Sequence, residues 1–376
     1  MKLVYCISAT HNSGGMERVL ANKANYLAAR GYDITVVTTD QRGLPPFFPL
    51  DGRIRCVDLG VNYETNNGKS FLNKLVHFPF KQLRHRRRLS RVLREVRPDV
   101  TVSMFCNDAS FLPSIKDGSR KVLEIHFSRF KRLQYDRKGL WRLADVWRNR
   151  NEAAVVARFD RFVVLTHEDS RYWGSLPHIA VIPNAQTFTC AEPARLDRKT
   201  VVAVGRLTYQ KGFDLLLQAW ARACRRAGGW QLAIVGDGEL RSALSAQAES
   251  LGIADRVTFV PATKDVVPVY RDASILAMSS RYEGFGMVLL EAQTAGLPVV
   301  SFACKCGPSE IVNDGVDGYL VPPGDVDTMA GRLVRLMQDD ALRHTMGGRA
   351  FENAARFSID AVMKQWIALF DNLKRG

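Results

Sequence analysis

Two glutamates and two cations lie in glycine-bearing loops in the second half of the sequence, each after a strand-like apolar run. Arg206 and Lys211 belong to GRLTYQKG, and Glu283 and Glu291, eight residues apart, belong to RYEGFGMVLLE. Arginine can hold a diphosphate with two parallel hydrogen bonds, and lysine adds a point charge. Carboxylates accept hydrogen bonds from ribose and sugar hydroxyls. The set indicates a site for a phosphorylated, hydroxyl-rich ligand, although surface cations and solvated glutamates would account for each residue alone.

Two glycine turns would bring backbone N–H groups to such a ligand. If a helix begins near Gly286, the N–H groups of Gly286, Met287 and Val288 point out of its first turn and can hold a phosphate. Gly14 and Gly15, in NSGG after the first apolar run, would let a ligand approach the amino end of the next helix. The alternative for this glycine pair is a tight strand-to-helix turn.

These loops need strands and helices to hold them, and the sequence alternates between the two patterns. Such alternation is typical of a parallel sheet with crossover helices. A polar stretch at 184–200 interrupts it, so we predict an N-terminal domain at 1–185, a linker at 186–200, a C-terminal domain at 201–358 and a last amphipathic helix at 359–376. The predicted strands are 3–8, 33–38, 100–104, 122–125 and 161–165, then 201–204, 231–235, 257–260, 274–278 and 298–301.

The composition limits the classes of protein to consider. The chain has 376 residues, 46% hydrophobic and 24% charged, as in ordinary globular proteins, which excludes a disordered or fibrous chain. No apolar run reaches the roughly 18–20 residues of a membrane-spanning helix. The first ten residues alternate like a strand and lack a signal-peptide pattern. The seven scattered cysteines, of which only Cys304 and Cys306 are close, are typical of reduced thiols in the cytosol.

The formal net charge of +15 is concentrated in the first half of the chain. Residues 1–190 contain 31 Lys and Arg against 17 Asp and Glu, whereas residues 191–376 contain 22 against 21. This asymmetry predicts an anionic partner: nucleic acid, phospholipid head groups or a phosphorylated substrate. Tryptophans among the cations favour an anionic membrane surface, and a solvated helix face is the alternative. The residues predicted to face the membrane or acceptor are Arg84, Arg86, Arg87, Arg88, Lys131, Arg132 and Trp141.

Further motifs follow the glutamate pair in a fixed order: GLPVV at 296–300, GPSE at 307–310, DGYLV at 317–321 and PPGD at 322–325. Together with the spacing of Glu283 and Glu291, the Arg206/Lys211 loop and NSGGMERV, they resemble the retaining glycosyltransferases of family 4, which have the GT-B fold. The resemblance covers nearly the whole chain. It implies two Rossmann-like α/β domains that face each other across a cleft, with the C-terminal helix packing back on the N-terminal domain.

The resemblance also implies a role for individual residues. Arg206 and Lys211 would hold the donor diphosphate and stabilise the charge of the leaving group, often the largest catalytic contribution. Glu291 would bind the ribose and Glu283 would orient the donor sugar. His126, in EIHFS after a predicted strand, matches a histidine near the donor sugar; a buried, hydrogen-bonded histidine is the alternative.

From the resemblance we expect a cytoplasmic transferase, peripheral on the inner face of the cytoplasmic membrane. It would move a hexose or N-acetylhexosamine from a nucleotide sugar, with UDP expected, to a lipid-linked or polysaccharide acceptor with retention of configuration. No cofactor and no metal are implied. Pro261 and Ala185 stand where the family often has glycine, which leaves the base open.

Two other functions remain compatible with the sequence. One is a nucleotide-sugar epimerase or a glucan synthase of the same fold, although the Arg206/Lys211 and Glu283/Glu291 set favours transfer over epimerisation. The other, on charge alone, is a nucleic-acid-binding protein. The sequence contains no recognised nucleic-acid motif, so no nucleic-acid partner is expected.

Overall fold

The computed structural model describes residues 1–66, 71–129, 142 and 151–375, but not the side chains of residues 66 and 71–76. It divides into two compact units. Unit 1 comprises Met1–Pro183 and Val362–Gly376, and unit 2 comprises Asn184–Ala361. The last helix therefore groups with the N-terminal unit.

Unit 1 contains a seven-stranded sheet in the order β3-β2-β1-β4-β5-β6-β7, with every neighbouring pair parallel. The central strands are apolar on both faces because helices cover a parallel sheet on both sides. The strands are β1 (Lys2–Ile7), β2 (Asp33–Thr38), β3 (Arg55–Asp58), β4 (Val100–Ser103), β5 (Arg120–Glu124), β6 (Arg161–Val164) and β7 (Ile179–Val181).

Four labelled helices belong to unit 1, and residues 151–156 are helical as well. The helix α2 buries a stripe that includes Leu89 and Leu93 and leaves its arginines exposed, as expected for an amphipathic surface helix. The third helix begins at Thr166, whose side chain accepts a hydrogen bond from the Asp169 N–H. The helices are α1 (Gly15–Ala29), α2 (Phe71–Val96), α3 (His167–Tyr172) and α11 (Ile359–Arg375).

Unit 2 repeats the architecture with a six-stranded parallel sheet in the order β10-β9-β8-β11-β12-β13. Both sheets place the first strand of the unit in the middle, which is the doubly wound arrangement in which ligands bind beyond the carboxyl ends of the strands. The strands are β8 (Thr200–Val204), β9 (Gln231–Val235), β10 (Val257–Val260), β11 (Ile275–Met278), β12 (Val299–Phe302) and β13 (Gly318–Val321).

Seven helices flank the sheet of unit 2. Two of these helices have an aspartate as the N-cap residue. The Asp325 carboxylate accepts a hydrogen bond from the Thr328 N–H, and the Asp339 carboxylate accepts one from the Leu342 N–H. The helices are α4 (Phe213–Cys224), α5 (Arg241–Ser250), α6 (Val267–Arg271), α7 (Met287–Thr294), α8 (Pro308–Ile311), α9 (Val326–Gln338) and α10 (Asp340–Ala354).

Two parallel α/β units confirm the predicted fold class. The predicted linker, 186–200, packs on unit 2: Ala194 and Leu196 are buried, and the Ala194 N–H donates to the carbonyl of Ala295. Apolar side chains and a backbone bond therefore hold this segment against the unit. Across the described residues, no helix combines the length and the apolar character needed to cross a bilayer.

Candidate active site

The loop between β8 and α4 carries Lys211 and depends on Gly212. Gly212 has a φ of +62°, and an added Cβ would collide with the carbonyl oxygen of Ser279. Glycine is the residue that adopts this conformation without strain and leaves room for the neighbouring backbone. The Ser279 hydroxyl donates back to the Lys211 carbonyl at 3.0 Å. The loop after β8 is thus fixed against the loop after β11.

Lys211 and Glu283 form an ion pair across these two loops. The Nζ atom of Lys211 lies 2.6 Å from Oε1 of Glu283, and the Ser280 hydroxyl donates to the same oxygen at 2.6 Å. Glu283 is 7% exposed. Its other oxygen, Oε2, has no partner among the described residues. The pair therefore places an ammonium group and a carboxylate oxygen side by side, where one ligand could contact both.

A second ion pair holds the same loops together. The Arg281 guanidinium donates two hydrogen bonds, at 2.8 and 2.6 Å, to the carboxylate of Asp214 in the first turn of α4. It also lies over the ring of Tyr209, 4.1 Å from the centroid. Bidentate geometry fixes direction as well as distance. Arg281 thus holds the segment that carries Glu283 against the start of α4.

The turn before α7 has the geometry expected from its glycines. Gly286 has a φ of +92° and precedes the first helical residue, Met287. The N–H groups that begin a helix have no partner within it, so those of Gly286, Met287 and Val288 are available to an anion. Gly307 has a φ of +107°, and an added Cβ would collide with the Phe285 carbonyl. The GPSE loop therefore packs directly against this turn.

Glu291, in the second turn of α7, is held by two hydroxyl groups. Thr187 donates to Oε1 at 3.0 Å, and Tyr270 in α6 donates to Oε2 at 2.9 Å. The Tyr270 ring is fully buried and stacks on Phe188, with 6.2 Å between centroids and 27° between planes. The carboxylate is therefore fixed in orientation.

Arg206 differs from Lys211 because it is exposed and makes no ion pair with any described residue. Its loop touches the VGDG loop after β9, where an added Cβ at Gly236 would collide with the Gly205 carbonyl. The carboxylate of Asp237 in that loop accepts from the Ala262 N–H at 3.1 Å, next to Pro261. The loops that follow β8, β9 and β10 therefore form one continuous edge.

In unit 1, Gly14 and Gly15 lie at the start of α1, and neither has a backbone angle that requires glycine. Gly14 is extended, and the side chain of Glu17 curls back over it. An added Cβ at Gly15 would meet nothing within 4 Å. The fold itself therefore does not require glycine at 15, and a larger residue would fit there. Burial raises the pKa of Glu17.

His126 follows β5, and its side chain is 6% exposed. Its Nε2 atom lies 3.1 Å from Oε1 of Glu124. The contact is close, but its angle does not make a well-aligned hydrogen bond, and neither ring nitrogen has another partner among the described residues. The structure thus places the histidine in a buried contact with a carboxylate.

The basic surface predicted for unit 1 is present on α2. Arg84, Arg86 and Arg87 are exposed. Arg88 is exposed but donates to the carbonyls of Leu59 and Gly60, so it fastens α2 to the loop after β3. The remaining predicted members of this surface, Lys131, Arg132 and Trp141, lie outside the described residues.

Three contributors to the site were not predicted from the sequence: Ser280, Thr187 and Tyr270. Ser280 directly precedes the RYEGFGMVLLE motif, three residues before Glu283. Thr187 and Tyr270 carry no local signal, because they reach Glu291 from 104 and 21 residues away. Among the described residues, no group of three His, Cys, Asp or Glu side chains is placed to hold a metal ion.

Two family models match adjoining parts of the chain. Residues 13–185 match the model described as Glycosyltransferase Family 4, and residues 187–353 match the model described as Glycosyl transferases group 1. Unit 1 therefore carries the first match and unit 2 the second.

A relative of similar length supports the same family, and two solved structures share the fold. The sequence is 29% identical to the amylovoran biosynthesis glycosyltransferase AmsD of Erwinia amylovora, over 97% of this chain and 98% of the relative. Sucrose-phosphate synthase from Thermosynechococcus elongatus has a similar structure, with a TM-score of 0.83, 20% identity and coverage of 99% and 98%. Anabaena HepE in complex with UDP and glucose gives a TM-score of 0.75, 18% identity and coverage of 99% and 100%. The chain belongs to the glycosyltransferases of the GT-B fold.

Proposed function

We propose that the protein is a retaining, metal-independent glycosyltransferase that moves a hexose or N-acetylhexosamine from a UDP-sugar to a lipid-linked or polysaccharide acceptor. The observation that carries the proposal is the Lys211–Glu283 pair beside the Gly286 turn. It combines a cation for a diphosphate, N–H groups for a phosphate and a carboxylate for sugar hydroxyls in one unit. UDP in complex with HepE and the amylovoran role of AmsD support the donor and acceptor classes.

Each donor contact follows from the chemistry of the side chain. Lys211 and Arg206 balance the negative charge that develops on the departing diphosphate, which lowers the barrier most when the charges are already in place. Glu283 Oε2 accepts from a sugar hydroxyl, and Glu291 accepts from the ribose diol. Because two cations and a helix terminus supply the positive charge, the site does not need a divalent ion for this purpose.

Retention is proposed to proceed without a protein nucleophile. The acceptor oxygen forms its bond to the anomeric carbon on the face from which the nucleotide leaves, as the bond between that carbon and the diphosphate oxygen breaks. The acceptor proton passes to the departing phosphate oxygen, so charge and atoms balance. The role of Lys211 is then to stabilise this phosphate before it takes the proton.

We also propose that α2 brings unit 1 to an anionic membrane surface. Phe78, Phe80 and Leu83 are 47%, 70% and 47% exposed, on the same helix as the exposed arginines. Apolar side chains beside cations are the pattern of an interfacial helix. Each cation near an anionic bilayer contributes about 1 kcal/mol. A lipid-linked acceptor would be met on the same surface.

The test is nucleotide release from a panel of nucleotide sugars in the presence of EDTA, with and without a bacterial lipid extract. We expect release from one donor, and NMR of the product with the anomeric configuration retained. Lys211→Ala and Glu283→Ala should lose about 100-fold or more of this activity. Lys364→Ala, an exposed lysine on α11, is the matched control and should keep it. An inverted product, or activity that EDTA abolishes, would contradict the proposal.

A further inference from the structure

Unit 1 contains a lysine whose ammonium group is removed from water. Lys23 lies on the buried face of α1, and its side chain is 4% exposed. Its Nζ atom donates to both carboxylate oxygens of Glu124, at 2.5 and 2.6 Å. Glu124 is the last residue of β5, with a side chain 1% exposed. Buried ion pairs of this kind are often no more stabilising than well-packed apolar residues, so stability alone does not account for the pair.

Glu124 is shared between Lys23 and His126. The oxygen Oε1 that accepts from Lys23 also lies 3.1 Å from Nε2 of His126. Burial alone would raise the pKa of Glu124, but Lys23 and His126 outweigh burial and lower the pKa to about 2. The carboxylate therefore stays ionised beside the imidazole throughout the neutral range.

The C-terminal helix closes this cluster. Trp366 on α11 is 2% exposed, and its ring centroid lies 3.6 Å from the Nζ atom of Lys23. The ring of Tyr5 lies 5.7 Å from the same atom. An ammonium group over an indole face is stabilised by the ring quadrupole, more strongly when water is excluded. The last helix thus covers the side of Lys23 that Glu124 leaves open.

We propose that Glu124 is a positioning residue for His126, held in place by Lys23 and by Trp366 of the C-terminal helix. The proposal rests on the proposed function and on the resemblance, which implies that His126 lies near the donor sugar. An ionised carboxylate at Nε2 favours the tautomer with its proton on Nε2. Nδ1, which is buried and has no hydrogen-bond partner among the described residues, is then the nitrogen without a proton.

Two double variants separate positioning from packing. Lys23→Met removes the buried cation, and in that background Glu124→Leu removes the acceptor whereas Glu124→Gln keeps an amide oxygen. Both doubles avoid an unpaired buried charge, so both should fold with similar melting temperatures. We expect the Leu double to lose about 10- to 100-fold in kcat with KM for the donor nearly unchanged, and the Gln double to recover about 10-fold of that loss. Equal kcat values in the two doubles would overturn the proposal.

A second buried lysine–carboxylate pair supplies a matched control. Lys121, at the start of the same strand β5, pairs with Asp117, and their side chains are 6% and 0% exposed. Neither residue contacts His126 in the structure. The Lys121→Met/Asp117→Leu double should therefore keep kcat within about 2-fold. A kcat loss in this control as large as that of the Glu124→Leu double would show that any buried pair in unit 1 has the same effect.

Trp366→Leu tests the contribution of the C-terminal helix. Removal of the ring should lower kcat about 3- to 10-fold, because Lys23 and hence Glu124 lose one side of their enclosure. Trp366→Phe, which keeps an aromatic face, should restore most of the loss. If Leu and Phe behave alike, the helix has no part in the positioning.

A spectroscopic measurement keeps this proposal separate from the proposed function. Nitrogen-15 NMR of the histidine side chains, with His126 assigned from a His126→Gln variant, should show a protonated Nε2 and a non-protonated Nδ1. The Lys23→Met/Glu124→Leu double should lose this preference, and the Lys121→Met/Asp117→Leu control should keep it. A protonated Nδ1 in the unmodified protein would refute the positioning whether or not transfer is detected. Failure of every donor to react, with the expected NMR pattern intact, would refute the function alone.

Discussion

Asp108 carries a buried carboxyl group whose replacement should stabilise unit 1 at neutral pH. The residue follows β4, is 1% exposed, and has no hydrogen-bond partner for Oδ2 among the described residues. Burial raises the pKa of Asp108 to about 6 from a usual value of 3.8. Asp108→Asn keeps the size of the group and removes the charge that forms when the carboxyl ionises.

The size and sign of the effect follow from the pKa shift. A raised pKa in the folded state gives a contribution to stability that is complete below pH 3.8 and is lost as the pH rises through 6. A rise in the pKa of Asp108 from 3.8 to about 6 corresponds to about 3 kcal/mol at pH 7.5. Because an amide also needs hydrogen bonds, we expect Asp108→Asn to gain about 1–3 kcal/mol at pH 7.5 and little or nothing at pH 4.

A second buried titratable residue, His85, also affects how the stability of unit 1 depends on pH. His85 on α2 accepts or donates a hydrogen bond at 3.1 Å with the Tyr63 hydroxyl, and burial lowers the pKa of His85 to about 4. A lowered histidine pKa gives stability that is present above pH 6.5 and lost as the pH falls toward 4. In the parent protein Asp108 and His85 oppose each other between pH 4 and 6. The variant should therefore lose stability more steeply on acidification.

The measurement is hydrogen exchange of the amides in β1 and β4 at pH values from 4 to 8, because the protein has two units and a single unfolding transition is not assured. Asp255→Asn, at an exposed position in unit 2, is the control and should leave these amides unchanged. Equal protection of the Asp108→Asn variant and the parent at pH 7.5, or a gain that does not vary with pH, would refute the reasoning.

Three further changes test the site and the surface. Tyr270→Phe removes one hydroxyl from Glu291 and should raise KM for the donor about 3- to 10-fold with kcat unchanged; steady-state kinetics with ribose and 2′-deoxyribose donors measures it, and the deoxy donor should show a smaller change. Gly212→Ala should destabilise unit 2 by about 2 kcal/mol or more, since φ is positive and the Ser279 carbonyl is in the way; thermal unfolding measures it. Phe80→Ala should weaken binding to anionic vesicles about 10-fold without changing nucleotide release in solution; vesicle sedimentation measures it.

The strands that the sequence predicts best are those with neighbours on both sides or a steady apolar pattern. Residues 33–38 and 231–235 were predicted within the bounds of β2 and β9 because each is a β-branched or apolar run between turns. Strands β3, β7 and β13 were not predicted. β13 is a buried edge strand of the second sheet, and its residues were assigned only to the DGYLV motif. β3 and β7 lie at the two edges of the first sheet, have four and three residues, and are half-buried or exposed. An edge strand has one partner, so its sequence carries a weaker pattern.

One helix boundary shows how a local rule can mislead. The dense cations and the apolar spacing of residues 81–97 predict an amphipathic basic helix, whereas α2 begins at Phe71, contains Pro79 and ends at Val96. Proline inside a helix removes a hydrogen bond and usually breaks or bends it. A proline therefore favours a helix that begins after it, whereas this helix continues through Pro79, and the exposed Phe78 and Phe80 were missed as neighbours of the arginines.

The charged pairs of the two units show why sequence alone cannot separate a site from its support. Lys211–Glu283 and Lys23–Glu124 have the same chemistry, and each joins residues far apart in the chain. Their side chains differ in exposure, 16% and 8% against 4% and 1%. At the first pair, the Lys211 side chain is 16% exposed, so its ammonium group can contact a diphosphate while it keeps its bond to Glu283, and no buried charge is left unpaired. At the second pair, an anion could reach Lys23 only by displacing Glu124, which would leave that carboxylate without a cation at a cost of several kcal/mol. The first pair is therefore suited to bind a ligand, and the second to hold a neighbouring side chain.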